Sequence, residues 1–447
     1  MNEGLMMRMV DRAMSRAALA VALLTVAAVP VWCASDDIAG GQPLSLEKCI
    51  IIALQNNPQI TMSEQGVITA QAGLTRARSS YYPQLSLSAT EAVSDRRLDP
   101  ALGDGTEREE EVDFVLRQTL WERGRADSVA ESRAASEATE WGHAATIQGL
   151  VDQVAADYYG LLAAQQLVGV AEGGMESAQS HLGEVKARIE VGAAAEVDVF
   201  PAEDDLARAE LDLIDARSGV RLAAAALRNS MGLSQETEVE LVEAPPLEGA
   251  KIPSLDEALA VAQEKRPELL SSRASLRASG KGLRLAKIGR GPLLGVSGEY
   301  DWGYTDWEAR DGAWDLRLSL GWPLFDGYAT EADVVAARAG LKRSEAELQR
   351  TLNQVGLEVQ TALVSVERAW ERVAASQKSV AAADARMRAA EGKYQQGVGI
   401  FIEVIDARTA LTQAQASEVR ARYDYRTALV ALDRALGTLR VPAVGED

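Results

Sequence analysis

Apolar residues along this chain keep two different rhythms. From residue 150 to 189 they recur at alternating steps of four and three, through Leu150, Val154, Leu161, Ala164, Val168, Ala171, Met175, Ala178, Leu182, Val185 and Ile189. The same rhythm returns from 355 to 394, through Val355, Val359, Ala362, Val366, Ala369, Val373, Met387, Ala390 and Tyr394. Steps of four and three are the heptad seam of coiled-coil helices, and knobs as small as Ala and Val demand close helix approach. Shorter seams follow each long one, through Val199, Ala202, Leu206, Ala209 and Leu213, and through Val404, Ala407, Leu411 and Ala414. The second of these is broken only by Glu418.

The second rhythm is alternation. "QLSLSATEAV" (84–93), "VDFVLRQTLW" (112–121), "LLGVSGEYDW" (293–302) and "WDLRLSLGWP" (314–323) each set apolar against polar residues with period two. This predicts four strands of about ten residues, the length a tilted strand needs to cross a bilayer. Trp121, Tyr300, Trp302, Trp314 and Trp322 fall near the strand ends, where interfacial aromatic belts form. The loops between the strands are polar. Four strands cannot close a barrel, and lipid does not tolerate an open sheet edge. Either the chain oligomerises to complete a barrel, or these strands form a water-soluble sheet with one buried face. Alternation alone does not separate the two.

The pattern occurs twice. "SLEKCIIIALQNNPQI" from Ser45 matches "SLDEALAVAQEKRPEL" from Ser254, with Pro58 on Pro267 and, further on, Pro83 on Pro292. "QTLWERG" matches "WPLFDG", "VGAAAEVDVF" matches "QGVGIFIEVI", and Gly232 falls on Gly437. A tandem duplication follows. The first repeat, 36–237, is expected to hold a helix 46–79, strands 84–93 and 112–121, a long helix 126–190 and a return helix 199–231. After a linker, 238–253, the second repeat, 254–440, holds a helix 255–288, strands 293–302 and 314–323, a long helix 329–395 and a return helix 403–436. A flexible tail, 441–447, ends the chain. The first long helix is about 65 residues, or roughly 98 Å, matched by the two short helices laid end to end. Such a rod suits a molecule that spans a gap.

Composition narrows the function. A net charge of −20 with no basic patch disfavours a nucleic-acid partner. Beyond the N-terminus no run of apolar residues is long enough for a membrane-spanning helix. Arg8, Arg12 and Arg16, then "AALAVALLTVAAVPV" and the small residues Cys33, Ala34 and Ser35, predict a signal peptide, 1–35, cleaved after Ser35. An uncleaved anchor is the alternative. Lipidation of Cys33 is disfavoured by Trp32 and Pro30. Cleavage leaves Cys49 as the sole cysteine, so no intrachain disulfide is expected, and its apolar helical setting suggests a buried thiol.

No cofactor and no metal are expected. His143 and His181, the two histidines, lie on predicted helices without a Cys or carboxylate cluster at metal spacing. The scattered Met62, Met175, Met231 and Met387 give no soft-metal pathway. No nucleophile elbow, phosphate loop or dinucleotide fingerprint occurs, because "GVGIFIEV" follows a helix and not a strand. The chain is not expected to be an enzyme.

"KYQQGVGIFIEVIDARTALTQAQ" (393–415) joins two helices at Gly397 and Gly399 and sets Glu403 and Asp406 three residues apart on one helix face. Complementing the helix dipole accounts for two acids there. This tip, the "YYPQLSLS" and "PLFDG" strand entries, "ARYDYRTALVALDRALGTL" and the duplication resemble the TolC-type outer-membrane efflux protein (outer membrane factor) family. The resemblance covers residues 44 to 440.

It implies a mostly α fold with a β-barrel part. A homotrimer would form a twelve-stranded transmembrane barrel, four strands per chain, continuous with a long periplasmic α-helical barrel of coiled-coil helices. It implies the outer membrane of a Gram-negative-type bacterium, reaching into the periplasm. The function implied is a passive exit duct of a tripartite efflux or type I secretion system, gated at its periplasmic end. The implied partners are outer-membrane lipid, a periplasmic adaptor (membrane fusion) protein, and an inner-membrane pump or ABC transporter.

Carried onto this sequence, the resemblance makes Glu403 and Asp406 a carboxylate ring at the gate, selective for cations. The first repeat keeps one acid, Asp198, with Pro201 opposite Asp406. Gly399 stands where some members carry a basic latch residue. The turns holding Gly192, Ala193 and Asp198, and Gly397, Val398 and Gly399, become adaptor-docking sites, although glycine needed only for chain reversal explains Gly192 and Gly397 as well. The competing reading is a soluble periplasmic coiled-coil scaffold or adaptor, which would extract into buffer without detergent.

Overall fold

The computed structural model describes residues 43–96, 105–192, 195–305, 308–309 and 312–442. The expected signal peptide with Cys33, Ala193 in the first turn, parts of both strand-connecting loops and most of the C-terminal tail lie outside them. From Leu44 onward the chain forms one unit.

Each repeat opens with a helix that breaks at proline. Helix α1 (Leu46–Asn56) is capped by Ser45, whose Oγ accepts from the Lys48 N–H at 3.3 Å. Asn57 then turns extended (φ −73°, ψ 122°), and α2 (Pro58–Ser79) starts with Pro58 in its first turn. In the second repeat α5 (Leu255–Lys265) ends at Arg266, extended at φ −64°, ψ 119°, and Pro267 opens α6 (Pro267–Ile288). The single helices expected over 46–79 and 255–288 are therefore corrected to pairs. A residue before proline is barred from the α region, while proline itself suits a helix start, where its missing N–H is no loss.

Strands β1 (Gln84–Arg96), β2 (Gly105–Glu122), β3 (Leu293–Thr305), β4 (Glu308–Ala309) and β5 (Ala313–Gly321) form one antiparallel sheet. Its order is β1-β2-β3-β5, and two-residue β4 prolongs the β3–β5 hairpin. β1, β2 and β3 run past their expected ends because their pairing continues beyond the apolar alternation. β5 stops at Gly321, short of the expected 323, before Pro323, which has no N–H to give a ladder. Pairing of β2 with β3 joins the repeats in one sheet, with β1 and β5 as open edges.

The long helices α3 (Arg125–Glu190) and α7 (Ala329–Gln395) have 66 and 67 residues, close to 100 Å each. They return as α4 (Val199–Met231) and α8 (Phe401–Leu436). Every buried residue of α7 belongs to the heptad seam: Val355, Val359, Ala362, Val366, Ala369, Val373, Met387, Ala390 and Tyr394. α3 buries more than its seam, adding Val151, Ala155, Tyr158 and Leu162, because it packs against α2, α4, α6 and α8 at once.

The 238–253 segment is strapped to these helices by buried tyrosines. Tyr158 Oη donates to the Val242 carbonyl at 2.8 Å, and Tyr425 Oη accepts from Ala250 N–H at 2.9 Å. Leu44 bridges Leu241 in parallel beside it.

Candidate functional site

Chemistry in this chain concentrates at the sheet and at the far helical turns. Opposed residues of an antiparallel ladder share a face. One row crosses the four main strands as Leu87, Phe114, Tyr300 and Trp314, a second as Leu85, Leu116, Gly298 and Leu316, and a third sets Ala89, Val112 and Trp302 abreast. Over these rows the face is apolar and exposed, Leu316, Leu318 and Leu320 at 68 to 70 %; Gln118 joins it on the helix side, and Glu91 and Glu110 follow it on the far side. The opposite face carries Ser86, Ser88, Asp113, Arg117, Ser297, Glu299, Asp301, Asp315 and Arg317.

A register shift between Thr119 and Trp121 re-aims β2, so that Trp121 pairs with Leu294 on the apolar face. Tyr300, Trp302 and Trp314 lie on that face too, and Trp322 just beyond β5 donates its indole N–H to the Arg290 carbonyl at 3.1 Å. All five predicted belt aromatics are exposed. Leu294 and Trp302 are eight residues apart on β3, about 27 Å along the strand, so the aromatics bracket a band of bilayer dimensions once the strand tilts.

At the other end, α3 reverses through Gly192 (φ 72°) and a 3₁₀ turn, Glu196–Asp198, before α4. Asp198 Oδ2 accepts from the Ala195 N–H at 3.3 Å, so this acid is committed to its own turn. α7 reverses through Gly397 (φ 73°), and the Val398 and Gly399 N–H groups both reach the Lys393 carbonyl at 3.1 Å. A Cβ on Gly399 would stand 3.0 Å from Lys393 Cβ, which leaves no ready space for a latch side chain.

Glu403 and Asp406 are exposed on the first turns of α8, while Phe401, Val404 and Ala407 on its other side pack with Val185, Met387 and Tyr394. Asp406 looks onto a groove of about 710 Å³ shared with Pro201, Asp204 and Arg208 of α4. Val398 and Ile400 in the turn, and Phe200 at the start of α4, are also exposed.

The fold adds a polar network that the sequence left scattered. Arg408 of α8 and Asp205 of α4, both over nine-tenths buried, form an ion pair between the return helices. Burial pushes the Asp205 carboxyl up, and Arg408 partly offsets this. Arg188 lies over the Tyr394 ring at 4.4 Å and pairs with Glu184 at 3.0 Å. His181 sits 3.6 Å from Glu391 of α7 and 3.9 Å from Glu184. Glu391 arrives from the other repeat, a neighbour that no spacing along the sequence shows. Even so, no cluster of metal-ligating side chains occurs among the described residues. His143 packs on Ser63, its Nδ1 2.8 Å from Oγ. One sequence signal marks the buried pair: Asp205 and Arg408 each adjoin a seam residue, Leu206 and Ala407, with opposite charge.

A four-stranded, open-edged sheet with a lipid-like outer face, set on helices about 100 Å long, defines an outer-membrane channel subunit. The sequence matches the outer membrane efflux protein family twice, over residues 50–233 and 258–438. The chain belongs to that family. It is 27 % identical over 403 residues to Protein CyaE of Bordetella pertussis, covering 89 % of this chain and 84 % of that one. It is 24 % identical to outer membrane protein TolC of Vibrio cholerae, covering 87 % and 89 % respectively. Its fold superposes on the Campylobacter jejuni CmeC outer membrane channel with a TM-score of 0.79 at 19 % identity, over 90 % of this chain and 87 % of that one.

Proposed function

We infer that three copies of this chain close a twelve-stranded barrel in the outer membrane and continue as a helical tunnel into the periplasm, a passive exit duct for an export system. One observation carries the reading. The apolar face of the sheet is exposed on strands whose outer edges, β1 and β5, are unpaired. Lipid accepts such a face only when every edge is paired, and sister chains supply the pairing. A soluble scaffold would instead have to cover this face.

The reading assigns the duct no chemistry and no cofactor; a periplasmic adaptor and an inner-membrane pump or ABC transporter would drive it. Glu403 and Asp406, exposed at the far end, would come together from three chains as the cation-selective gate. The turns around Gly192, Ala193 and Asp198, and Gly397, Val398 and Gly399, with exposed Val398 beside them, would receive the adaptor.

The test is fractionation followed by planar-bilayer recording. The protein should sediment with outer membranes, leave them only in detergent, run as a trimer and conduct with cation preference. Recovery as a soluble monomer that does not conduct would reject the duct.

A further inference from the structure

The polar face of the sheet is zoned by charge. Cross-strand register places Arg117, Ser297 and Arg317 in one row over β2, β3 and β5. Gln84, the first residue of β1, completes that row on the side where α2 has just ended and α3 and α7 are about to begin. On that face the acids of the next rows lie farther from the helices, whereas Glu122 at the end of β2 lies nearer to them than Arg117. Glu299 is paired with Asp315 in one row, and Asp113 with Asp301 in the next.

Placing like charges directly opposite weakens a ladder, and the fold gains nothing from it. One carboxylate oxygen each of Asp113 and Asp301 is buried without a hydrogen-bond partner. On the basic side, Arg317 is drawn to Asp315 at 2.8 Å, whereas Arg117 makes no ion pair among the described residues. Both second strands of the duplicated unit thus bring an arginine to the same row.

Resting on the duct reading above, we propose that Arg117 and Arg317 form an anion-attracting belt at the periplasmic end of the barrel lumen, in series with acidic belts nearer the outer mouth. The apolar face meets lipid, so the polar face lines the lumen. Three chains contribute six guanidinium groups to the inner belt and twelve carboxylates to the outer ones. Barrel tilt staggers the two arginines in height but keeps Arg117 below Asp113 and Arg317 below Asp315, with Glu122 below Arg117 at the rim. A wall charge acts over about a Debye length, roughly 10 Å at 0.1 M salt, so the belts bias what passes along the wall more than at the axis.

The ligand class is anionic groups of a passing solute, carboxylate or phosphate, which the arginines hold bidentately. The belt makes the barrel a second selectivity element, of opposite sign to the acidic zone above it.

The experiment is reversal-potential measurement on single trimers in KCl gradients, with gel mobility of the heated and unheated trimer as the check on folding. Arg117→Ala with Arg317→Ala should raise the K⁺/Cl⁻ permeability ratio roughly twofold at 0.1 M salt and much less at 1 M. Arg117→Lys with Arg317→Lys should keep the wild-type ratio, and Asp113→Asn with Asp301→Asn should lower it. Tripolyphosphate, used as the probe anion, should slow K⁺ current through wild type more than through the alanine variant. If wild type conducts and the ratio is the same in the alanine variant, the belt is overturned while the duct stands. If wild type does not conduct, both fall.

Discussion

A Cβ placed on Gly232 would stand 2.6 Å from the carbonyl oxygen of Asn56. The contact lies where α4 ends on the proline break of its own entry helix. Gly232 has φ 71°, and Asn57 Nδ2 donates across the contact to the Ser230 carbonyl at 2.8 Å. The second repeat builds the same joint, with Gly437 at φ 71° and its would-be Cβ 2.8 Å from the Lys265 carbonyl. Here a side chain meets both a left-handed backbone and an immovable neighbour. Gly232→Ala should destabilise the folded subunit by at least about 2 kcal/mol. Gly160→Ala is the control: it lies inside α3 with nothing within 4 Å of its would-be Cβ, and should be neutral or slightly stabilising. Thermal melting of the detergent-extracted protein separates the two.

That joint also shows what the sequence could and could not say. Pro58 and Pro267 align in the repeats, and so do Gly232 and Gly437, but nothing in either pair reveals that one docks on the other. The seam of α7 was legible residue by residue, because a helix with one partner face obeys one period. The extra buried face of α3 was not, since its neighbours α6 and α8 come from the other repeat. Of the candidate site, the belt aromatics and the exposed acids of α8 could be read from period and position. Asp205 with Arg408, and His181 with Glu391, could not, for long-range pairing leaves no local pattern.

Arg408→Ala leaves Asp205 buried without its cation. Breaking a buried pair this way costs about 3–5 kcal/mol, and removing both partners costs less. Arg408→Ala should therefore lower the melting temperature more than the double change with Asp205→Ala. The pH dependence has a definite sign. Burial raises the Asp205 carboxyl, so its contribution is present below the ordinary carboxylate range and is lost as pH rises through the folded value. Without Arg408 that folded value climbs further, and the defect should shrink as pH falls. A deficit independent of pH would contradict this account.

Cys49 is fully buried in the α1–α3–α4 core, and desolvation pushes its thiol up to about 12. The thiolate is the nucleophile, so the native protein should not react with maleimide or an aromatic disulfide at pH 8. Denaturation should make Cys49 reactive. A raised thiol stabilises the fold fully below the unfolded value and loses that contribution as pH rises toward 12, at about 1.4 kcal/mol per pH unit for one proton. Cys49→Ala should flatten the fall in stability above pH 9.

The two faces of β5 differ in what they tolerate. Leu316 lies midway along the apolar face, in the row of Leu85 and Leu116, and Ser319 lies on the polar face opposite Gly295. Leu316→Arg should cost about 2–4 kcal/mol in a bilayer and reduce the amount of protein in the outer membrane. Ser319→Arg should leave that amount unchanged. Equal recovery of both variants would mean that this face does not meet lipid.

Glu403 and Asp406 project from α8 on the side away from Phe401, Val404 and Ala407, which hold the helix to α7 and α3. Their exposure in the single chain leaves both free to meet their copies around a three-fold axis. Only Glu403 lies in the first turn of α8, with Asp406 a turn beyond, so the dipole account open to the sequence is corrected: it covers Glu403 and not the pair. If six carboxylates crowd one aperture, a trivalent cation such as hexamminecobalt added from the periplasmic side should block the current. Glu403→Ala with Asp406→Ala should weaken that block at least tenfold, about 1.4 kcal/mol, a modest share of what several carboxylates supply to a trivalent ion. Glu403→Gln with Asp406→Asn keeps the shape and removes the charge, so it should weaken the block equally. Block that persists unchanged in both variants would move the constriction to other residues.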